Sequence, residues 1–429
     1  MNKKQKMALW LNMIEPIFLD KQNLAGCYIF VVKKSVLADF AAKNYPAEKL
    51  IFLNGLETAA GPSFHDIVFK TDLVSQLKQE GIKCLVIPHR SSEEIERWAK
   101  SNKIRLVVTP WKKQQQLEDK KYFDRLLKKF KIESPRTVSA KDRLDNCKTY
   151  VVQEKNSFGM FGTKFYQPDK SPKLDIDYKN TLVREFLPGP SAGISIFIDA
   201  DGNYFLSGLR RQCFTYKNGF PETFLGIQWL PDNFFPESTN KKIGLEIKKL
   251  IDSLLYSKFS GVANIDFLIH EGNPYVLECN PRLSSATPQI FSLAELTSGK
   301  NAWQFFLNTF QKIPNRGIKD NKLPRHNFSG SLLDIDVPAK TPIRKILPVG
   351  VYEAGGRKIK FVSEDMRFFT SGKNRFFLFH ELSDTRVIDR DFTLATLISN
   401  LPLFNMKSGS LNHLGKKLYD YFKKEFLRN

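Results

Sequence analysis

The sequence predicts a mixed α/β and α+β protein with an N-terminal parallel-sheet domain over residues 1–117, a middle domain over 118–312 and a small α+β C-terminal domain over 313–429. Three observations carry that reading. The first third alternates short apolar runs (CYIFVVK, KLIFLNG, CLVIPH, IRLVVTP) with polar helical stretches (VLADFAAKNY, DLVSQLKQEG, SEEIERWAKSN), the pattern of βαβ units. The middle third closes on two alternating segments, VANIDFLI and PYVLECN, joined by a short polar turn. Past about residue 313 come strand-like runs (FSGSLLDIDV, KILPVGVYEA, KIKFV, RFFLFHEL, TRVIDRD), ended by the helical pattern SLNHLGKKLYDYFKKEFLR.

Composition narrows the class. A chain of 429 residues, 42% hydrophobic, has ample material for buried cores. Five cysteines (Cys27, Cys84, Cys147, Cys213, Cys279) lie far apart without a C-x-x-C pair, which suits reduced thiols and argues against disulfides and zinc. The opening MNKKQKMALWLNMIEPIFL mimics a basic, apolar leader, but Asn12, Glu15 and Pro16 break it and no small-residue cleavage site follows. No run is long enough to span a bilayer, so the expected setting is cytoplasmic, with no membrane partner. A net charge of +21 would attract anions, yet the lysines are dispersed in small groups and no nucleic-acid module is recognisable. Solvated helix faces or a lysine-rich background are the first explanation of the charge, and an acidic substrate is the next. The first third lacks G-x-G-x-x-G, the six histidines are scattered, and no G-x-S-x-G exists.

The most informative segment is GVANIDFLIHEGNPYVLECNPRL. A hairpin symmetric about Gly272 sets Asp266 directly opposite Glu278, where like charges repel across the ladder. Side chains repeat every two residues, so Asn280 shares the face of Glu278 and the three oxygens converge as hard ligands suited to Mg2+. Pro281 stops the pairing, and Arg282 follows with a fork of donors fit for phosphate oxygens. An isolated pair of opposed acids is more often a solvated hairpin; the added Asn-Pro-Arg argues for metal-assisted phosphoryl chemistry.

With its Asp, Gly turn and E-x-N-x-R, this segment resembles the metal-binding end of the ATP-grasp superfamily. The resemblance implies that Asp266, Glu278 and Asn280 hold Mg2+ against the phosphates of ATP and that Arg282 steadies an acyl phosphate. It extends, in order, over residues 118 to 312, and makes the N-terminal unit a pre-ATP-grasp domain. The helical EDKKYFDRLLKKFKIESPRT resembles the family's opening, with Lys120 reaching the ATP phosphates. In KTYVVQEKNSFGMFGTKFY a strand runs into a loop whose Gly159 and Gly162 would let backbone N–H groups close over phosphates. Here the sequence departs from the family, because Gln153-Glu154 stands where Lys-Pro is usual; Lys155 or Lys164 is the replacement cation. In TLVREFLPGPSAGISIFIDADGNYFLSGLRRQ, the resemblance places Glu185, Phe186 and Leu187 on the linker that holds adenine, with a hairpin turning at Asp201-Gly202-Asn203. Arg210 and Arg211, read as the end of the following strand, point to opposite faces, one into the site and the other to solvent. Helical periodicity covers residues 238–259, and one or two helices are expected over 284–311.

Membership implies a carboxylate phosphorylated by ATP and then captured by a nucleophile. Without biotin-attachment, glutaminase or carbamoyl-phosphate signals, the expectation is a carboxylate–amine ligase acting on amino acids or peptides, with a homodimer as the assembly left open. Two rivals remain: a non-catalytic nucleotide-binding or regulatory protein of the same fold, and a basic nucleic-acid-binding protein, which would show a steep salt dependence.

Overall fold

The computed structural model describes residues 6–11, 27–33, 35–56, 63–87, 90–157, 162–169, 176–284, 302–311, 313–315, 323, 328–337, 341–355, 358–365, 374–380, 382, 387–388 and 392–427. The N-terminal unit is a five-stranded parallel sheet of order β3-β2-β1-β4-β5, comprising β1 (Met7–Trp10), β2 (Cys27–Val32), β3 (Leu50–Leu53), β4 (Cys84–Val86) and β5 (Arg105–Val107). Its helices are α1 (Val36–Asn44), α2 (Phe64–Lys70), α3 (Leu73–Gln79) and α4 (Glu93–Ser101). Met7 and Leu9 pack with Phe40 on one face, while Ala8 and Trp10 pack with Phe64, Ile67, Leu77 and Ile95 on the other. Burial on both faces is why these strands read as continuous apolar runs. Ser35, Ser63 and Ser92 each accept a first-turn backbone N–H and so fix where α1, α2 and α4 begin. Periodicity does not assign MALW to the sheet, yet it forms the central strand. Its partners are distant in sequence, and four residues carry too short a pattern to declare themselves.

Helices α5 (Trp111–Glu118) and α6 (Lys120–Lys129) lead into a small antiparallel sheet of order β6-β9-β7-β8. Its strands are β6 (Thr137–Val138), β7 (Tyr150–Glu154), β8 (Thr163–Tyr166) and β9 (Thr181–Glu185), over a modest core of Val138, Tyr150, Val152, Tyr166 and Val183.

The largest sheet has eleven strands. Its first part comprises β10 (Ser191–Ile198), β11 (Tyr204–Leu206), β12 (Arg210–Lys217), β13 (Phe220–Trp229), β14 (Gly261–His270) and β15 (Asn273–Asn280), in the order β15-β14-β10-β12-β13 with β11 on β10. Strand alternation sends Ala192, Ile194, Ala263, Ile265 and Phe267 toward α6 and α7 (Glu237–Tyr256), where they meet Phe123, Leu127, Ile247 and Leu254. Gly193, Ser195, Asn264 and Asp266 take the opposite face by the same alternation. Helix α8 (Ala302–Gln311) contributes Trp303 and Phe306 to the core that also holds Phe197, Val262 and Met7. The expected helix content over 284–301 lies outside the described residues, apart from Ser284.

The sheet then continues through the C-terminal strands. β16 (Ser331–Val337) pairs with β13, and the order runs on as β22-β20-β18-β19; β17 (Thr341–Pro342) and β21 (Val387–Ile388) make a separate pair. The strands are β18 (Gly350–Gly355), β19 (Lys358–Ser363), β20 (Arg375–Phe379) and β22 (Phe392–Ser399), and α9 (His413–Leu427) covers them with Leu418, Phe422 and Phe426. The β13–β16 junction requires a glycine. Gly226 has φ +138°, and a Cβ there would stand 2.0 Å from the Leu332 carbonyl oxygen. Among the described residues, no helix is long and apolar enough to cross a membrane.

Candidate active site

The β14–β15 hairpin turns through Glu271 and Gly272, at φ +50° and +72°, as a tight two-residue hairpin loop between paired His270 and Asn273. Carried unchanged along the ladder, that register would set Asp266 opposite Leu277. A bulge admits Leu277 as an extra residue, and Asp266 pairs with Glu278. The expected pair is therefore formed, by a route that symmetry about Gly272 does not describe. The bulge also reverses which side chains face which way: Val276 and Cys279 both reach the helix-side core, leaving Glu278 and Asn280 to the other face beside Asp266. The extra Leu277 carbonyl accepts from Arg184 Nη1 on β9 at 2.8 Å.

Asn280 Nδ2 donates to Asp266 Oδ2 at 3.3 Å and to Glu278 Oε1 at 3.2 Å, and its Oδ1 accepts from Arg282 Nη2 at 3.2 Å. Asp266 is buried, and its pKa is pushed up to about 7 by burial first and by Glu278 second, against the pull of Arg210. For Glu278, burial alone would raise the pKa, but the Lys120 ammonium together with hydrogen bonds from Asn280 and Asp266 outweighs it, and the net direction is downward. Lys120 Nζ lies 3.0 Å from Glu278 Oε2. The donor set therefore fits a hard divalent cation. Two opposed carboxylates, one holding a proton to be relieved of the other's charge, gain most when a cation replaces that proton and an amide oxygen turns inward beside them. Among the described residues no group of three His, Cys, Asp or Glu gathers as a metal site, here or elsewhere, so a cation at this site would rely on the Asn280 amide as its third ligand.

Behind the acids lies a buried polar layer. Arg210 Nη1 donates to Ser195 Oγ and Nη2 to Asn264 Oδ1, both at 3.1 Å, and burial lowers its pKa to about 10 while Asp266 draws it back up. Asn264 Nδ2 donates to the Arg282 carbonyl, so one amide ties Arg210 to the chain beyond the hairpin. Gly193 makes room: a Cβ there would meet Asp266 Oδ1 at 3.1 Å and the Arg210 guanidinium at 3.5 Å.

Arg211 does not join this cluster. The two arginines begin β12 rather than end a strand, and alternation sends Arg211 away from Asp266 as expected. It is buried instead of solvated, however, donating to the carbonyls of Met406 and Lys407, because the C-terminal residues fold over that face.

The residues expected to contact the nucleotide gather unequally. Lys120 is brought fully into the site: Asp119 caps α6 by accepting from the N–H groups of Lys121 and Tyr122, and Lys120 Nζ also donates to the Ser157 carbonyl at 2.6 Å. The Lys120 N–H donates to the Lys155 carbonyl at 2.9 Å, placing the chain after β7 against the start of α6. Gln153 sits on β7 with Nε2 3.4 Å from Thr163 Oγ1. Gly162 adopts φ +69°, and its carbonyl accepts from Glu154 N–H at 3.1 Å; Gly159 lies outside the described residues. Lys164 is exposed on β8. Glu185 pairs with Lys148 at 3.0 Å, Phe186 N–H donates to the Thr149 carbonyl at 2.9 Å, and Leu187 is half-buried in the connection to β10. The Phe186 ring meets Phe165 of β8 and Phe220 of β13 edge-on, and those two stack at 4.7 Å between centroids.

Sequence reasoning missed Ser195, Asn264 and Glu118. Ser195 and Asn264 had a usable signal, as polar residues inside the apolar runs ISIFI and VANIDFLI with Asn264 two residues from Asp266. Glu118 had none, since an acid at a helix end is ordinarily solvated.

Residues 117–286 match the family model described as an ATP-grasp domain. Similar solved structures include the biotin carboxylase domain dimer of Hydrogenobacter thermophilus 2-oxoglutarate carboxylase in complex with MgADP, ADP and bicarbonate (TM-score 0.62, 14% identity, 92% of this chain and 86% of that one). Others are the biotin carboxylase–βγ-ATP complex of Campylobacter jejuni (0.59, 11%, 92% and 87%) and Rhizobium etli pyruvate carboxylase (0.57, 12%, 93% and 35%). Comparison with curated protein sequences gives no match.

Proposed function

Residues 117–286 carry an ATP-grasp domain match, and on that premise we propose that the chain is an ATP-dependent carboxylate–amine ligase working through an acyl phosphate. The carboxylate oxygen of the donor acid bonds to the terminal phosphorus of ATP as the bond to ADP breaks. The amine then attacks the acyl carbon, phosphate leaves, and the amine nitrogen gives up a proton. Mg2+, held by Asp266, Glu278 and Asn280 Oδ1, would draw off phosphate charge. The protein's own part is alignment and neutralisation, which is why a His-centred triad is not required. Arg282 offers donors to the transferring group, Lys120 is poised to exchange the Ser157 carbonyl and Glu278 for phosphate oxygens, and Arg210 balances Asp266 from behind. Gln153, Lys155, Gly159 and Gly162, with Glu185, Phe186 and Leu187 of the linker, are assigned to the nucleotide. The partners in this reading are a small carboxylic acid and an amine, in a cytoplasmic setting.

One observation carries the proposal: Asp266, Glu278, Asn280 and Arg282 share one face of a bulged hairpin, with Lys120 at 3.0 Å from Glu278. The test is ADP release with pools of amino acids and short peptides, with mass detection of the product and a parallel arm of biotin and bicarbonate. Acid- and amine-dependent ADP formation with an amide product supports the ligase. Turnover only with biotin and bicarbonate, or nucleotide binding without substrate-stimulated turnover, rejects it in favour of a carboxylase or a non-catalytic nucleotide-binding protein.

A further inference from the structure

The junction between α5 and α6 addresses the end of β15 with alternating charge. Lys120 meets Glu278, and two residues earlier Glu118 meets Arg282, its Oε1 lying 3.1 Å from Arg282 Nε. Glu118 is 9% exposed, so its charge is not left to water. Its other oxygen, Oε2, pairs at 2.7 Å with Nη2 of Arg90, which follows β4 at the C-terminal side of the parallel sheet. One helical turn before Glu118, Gln114 Oε1 accepts from Ser91 N–H at 2.9 Å, with both residues buried. The chain after β4 is thus fastened to α5 at two consecutive residues. Arg282 Nη2 donates to Asn280 Oδ1, and Glu118 Oε1 faces its Nε edge as a buried ion pair without a directed hydrogen bond, so one bond and one charge contact set the side of the guanidinium from which it is held.

We propose that Glu118 is a positioning residue for Arg282, and that Arg90 makes the parallel-sheet unit part of the phosphoryl-transfer centre. This deepens the ligase reading and rests on it. A carboxylate present only to join two units would be satisfied by Arg90 alone. Here it spans a guanidinium from the N-terminal unit and one from the E-x-N-x-R segment, and removing it leaves the Arg282 side chain, among the described residues, attached only through Asn280.

The test compares wild type, Glu118→Gln, Arg282→Ala, the double variant and Arg90→Ala in thermal-shift titrations with MgADP alone and with MgADP plus aluminium fluoride, a mimic of the phosphoryl group in transfer. MgADP alone is expected to bind Glu118→Gln as it binds wild type. The fluoride complex is expected to weaken about tenfold in Glu118→Gln and about threefold in Arg90→Ala. Glu118→Gln is expected to add nothing to the loss already caused by Arg282→Ala, because a positioner has no effect once the positioned group is gone. Full affinity of Glu118→Gln for the fluoride complex overturns the proposal, as do losses that multiply in the double variant. Equal weakening with MgADP alone also overturns it, marking a merely structural role. Should Glu118→Gln fail to fold, Glu118→Asp, which keeps the charge but retracts it by one methylene, is expected to show the same selective loss, and its absence overturns the proposal. A wild type that binds no MgADP instead defeats the nucleotide reading beneath it.

Discussion

The β14–β15 hairpin and the small β6–β9 sheet both supply candidate site residues, and they hold them in opposite ways. In the hairpin, Asp266 is buried, Asn280 bonds both acids, Lys120 pairs with Glu278, and Arg282 is held by Asn280 and Glu118. In the small sheet the hydrophobic cluster among the described residues is five buried residues, and among the same residues Gln153 on the end of β7 has one side-chain bond, to Thr163, with Lys155 and Gly162 in the chain beyond it. Charge that must stabilise a transition state has to be oriented before the reaction, whereas a cover over a nucleotide has to open and close. Substitutions in the hairpin should therefore act on the chemical step, and those in the small sheet on nucleotide affinity.

The largest expected effect is that of Glu278→Gln. Losing a proposed direct metal ligand should lower ADP release by at least about a hundredfold, a larger loss than removing an outer-shell partner. The fold should persist, because relief of the Asp266 repulsion offsets the weakened Lys120 pair, and Lys120 keeps the Ser157 carbonyl. Substantial turnover by this variant would mean the metal site is misassigned. Next comes Arg282→Ala, for which kcat should fall by roughly two orders of magnitude while KM for ATP moves only a few-fold. Equal weakening of both would place Arg282 on the nucleotide instead of the transferring group.

The same contrast explains what the sequence disclosed. Asp266, Glu278, Asn280 and Arg282 were legible because alternation and a tight turn nearly determine which residues face each other. The Leu277 bulge that brings about the pairing was not, since one inserted residue leaves no periodic trace. Elements with a long pattern, such as α7, were legible to within one residue at the start and three at the end, while the four-residue β1 escaped. The fate of Arg211 was hidden for another reason: alternation gives the face, but not that residues 406–407, nearly two hundred positions later, cover it. Glu118 and Arg90 belong to that class too, as the meeting of Arg90 and Arg282 on the two oxygens of Glu118 depends on how two units pack.

A smaller effect should sharpen the comparison from the other side. Phe220 at the start of β13 stacks on Phe165 of the small sheet and meets Phe186 of the linker, so this ring trio links the small sheet to the β12–β13 pair of the large sheet. Phe220→Ala should raise KM for ATP about two- to tenfold, the range expected for losing one aromatic pair, with kcat nearly unchanged. Initial-rate kinetics at varied ATP would show it. A fall in kcat with constant KM would mean that the small sheet also orients the reacting groups, and the contrast with the hairpin would fail.

The smallest effect lies in the pH dependence of stability and bears on why the hairpin suits a cation. Asp266 keeps its proton to about pH 7 in the fold and loses it near its ordinary value of 3.8 when unfolded. Between those values the folded chain binds more protons than the unfolded one, so the contribution of Asp266 is fully present below about 3.8 and is lost as pH rises to about 7. Glu278, shifted downward by Lys120, runs the other way and loses its contribution on acidification. In metal-free protein, the stability of wild type relative to Asp266→Asn should therefore decline from pH 4 to 7, as read from denaturant midpoints. Excess Mg2+ should reverse the trend at the upper end, because a cation then does what the proton did. A difference that stays flat with pH and indifferent to Mg2+ would mean that the opposed acids are not in tension, and the physical reason for placing a metal there would be gone.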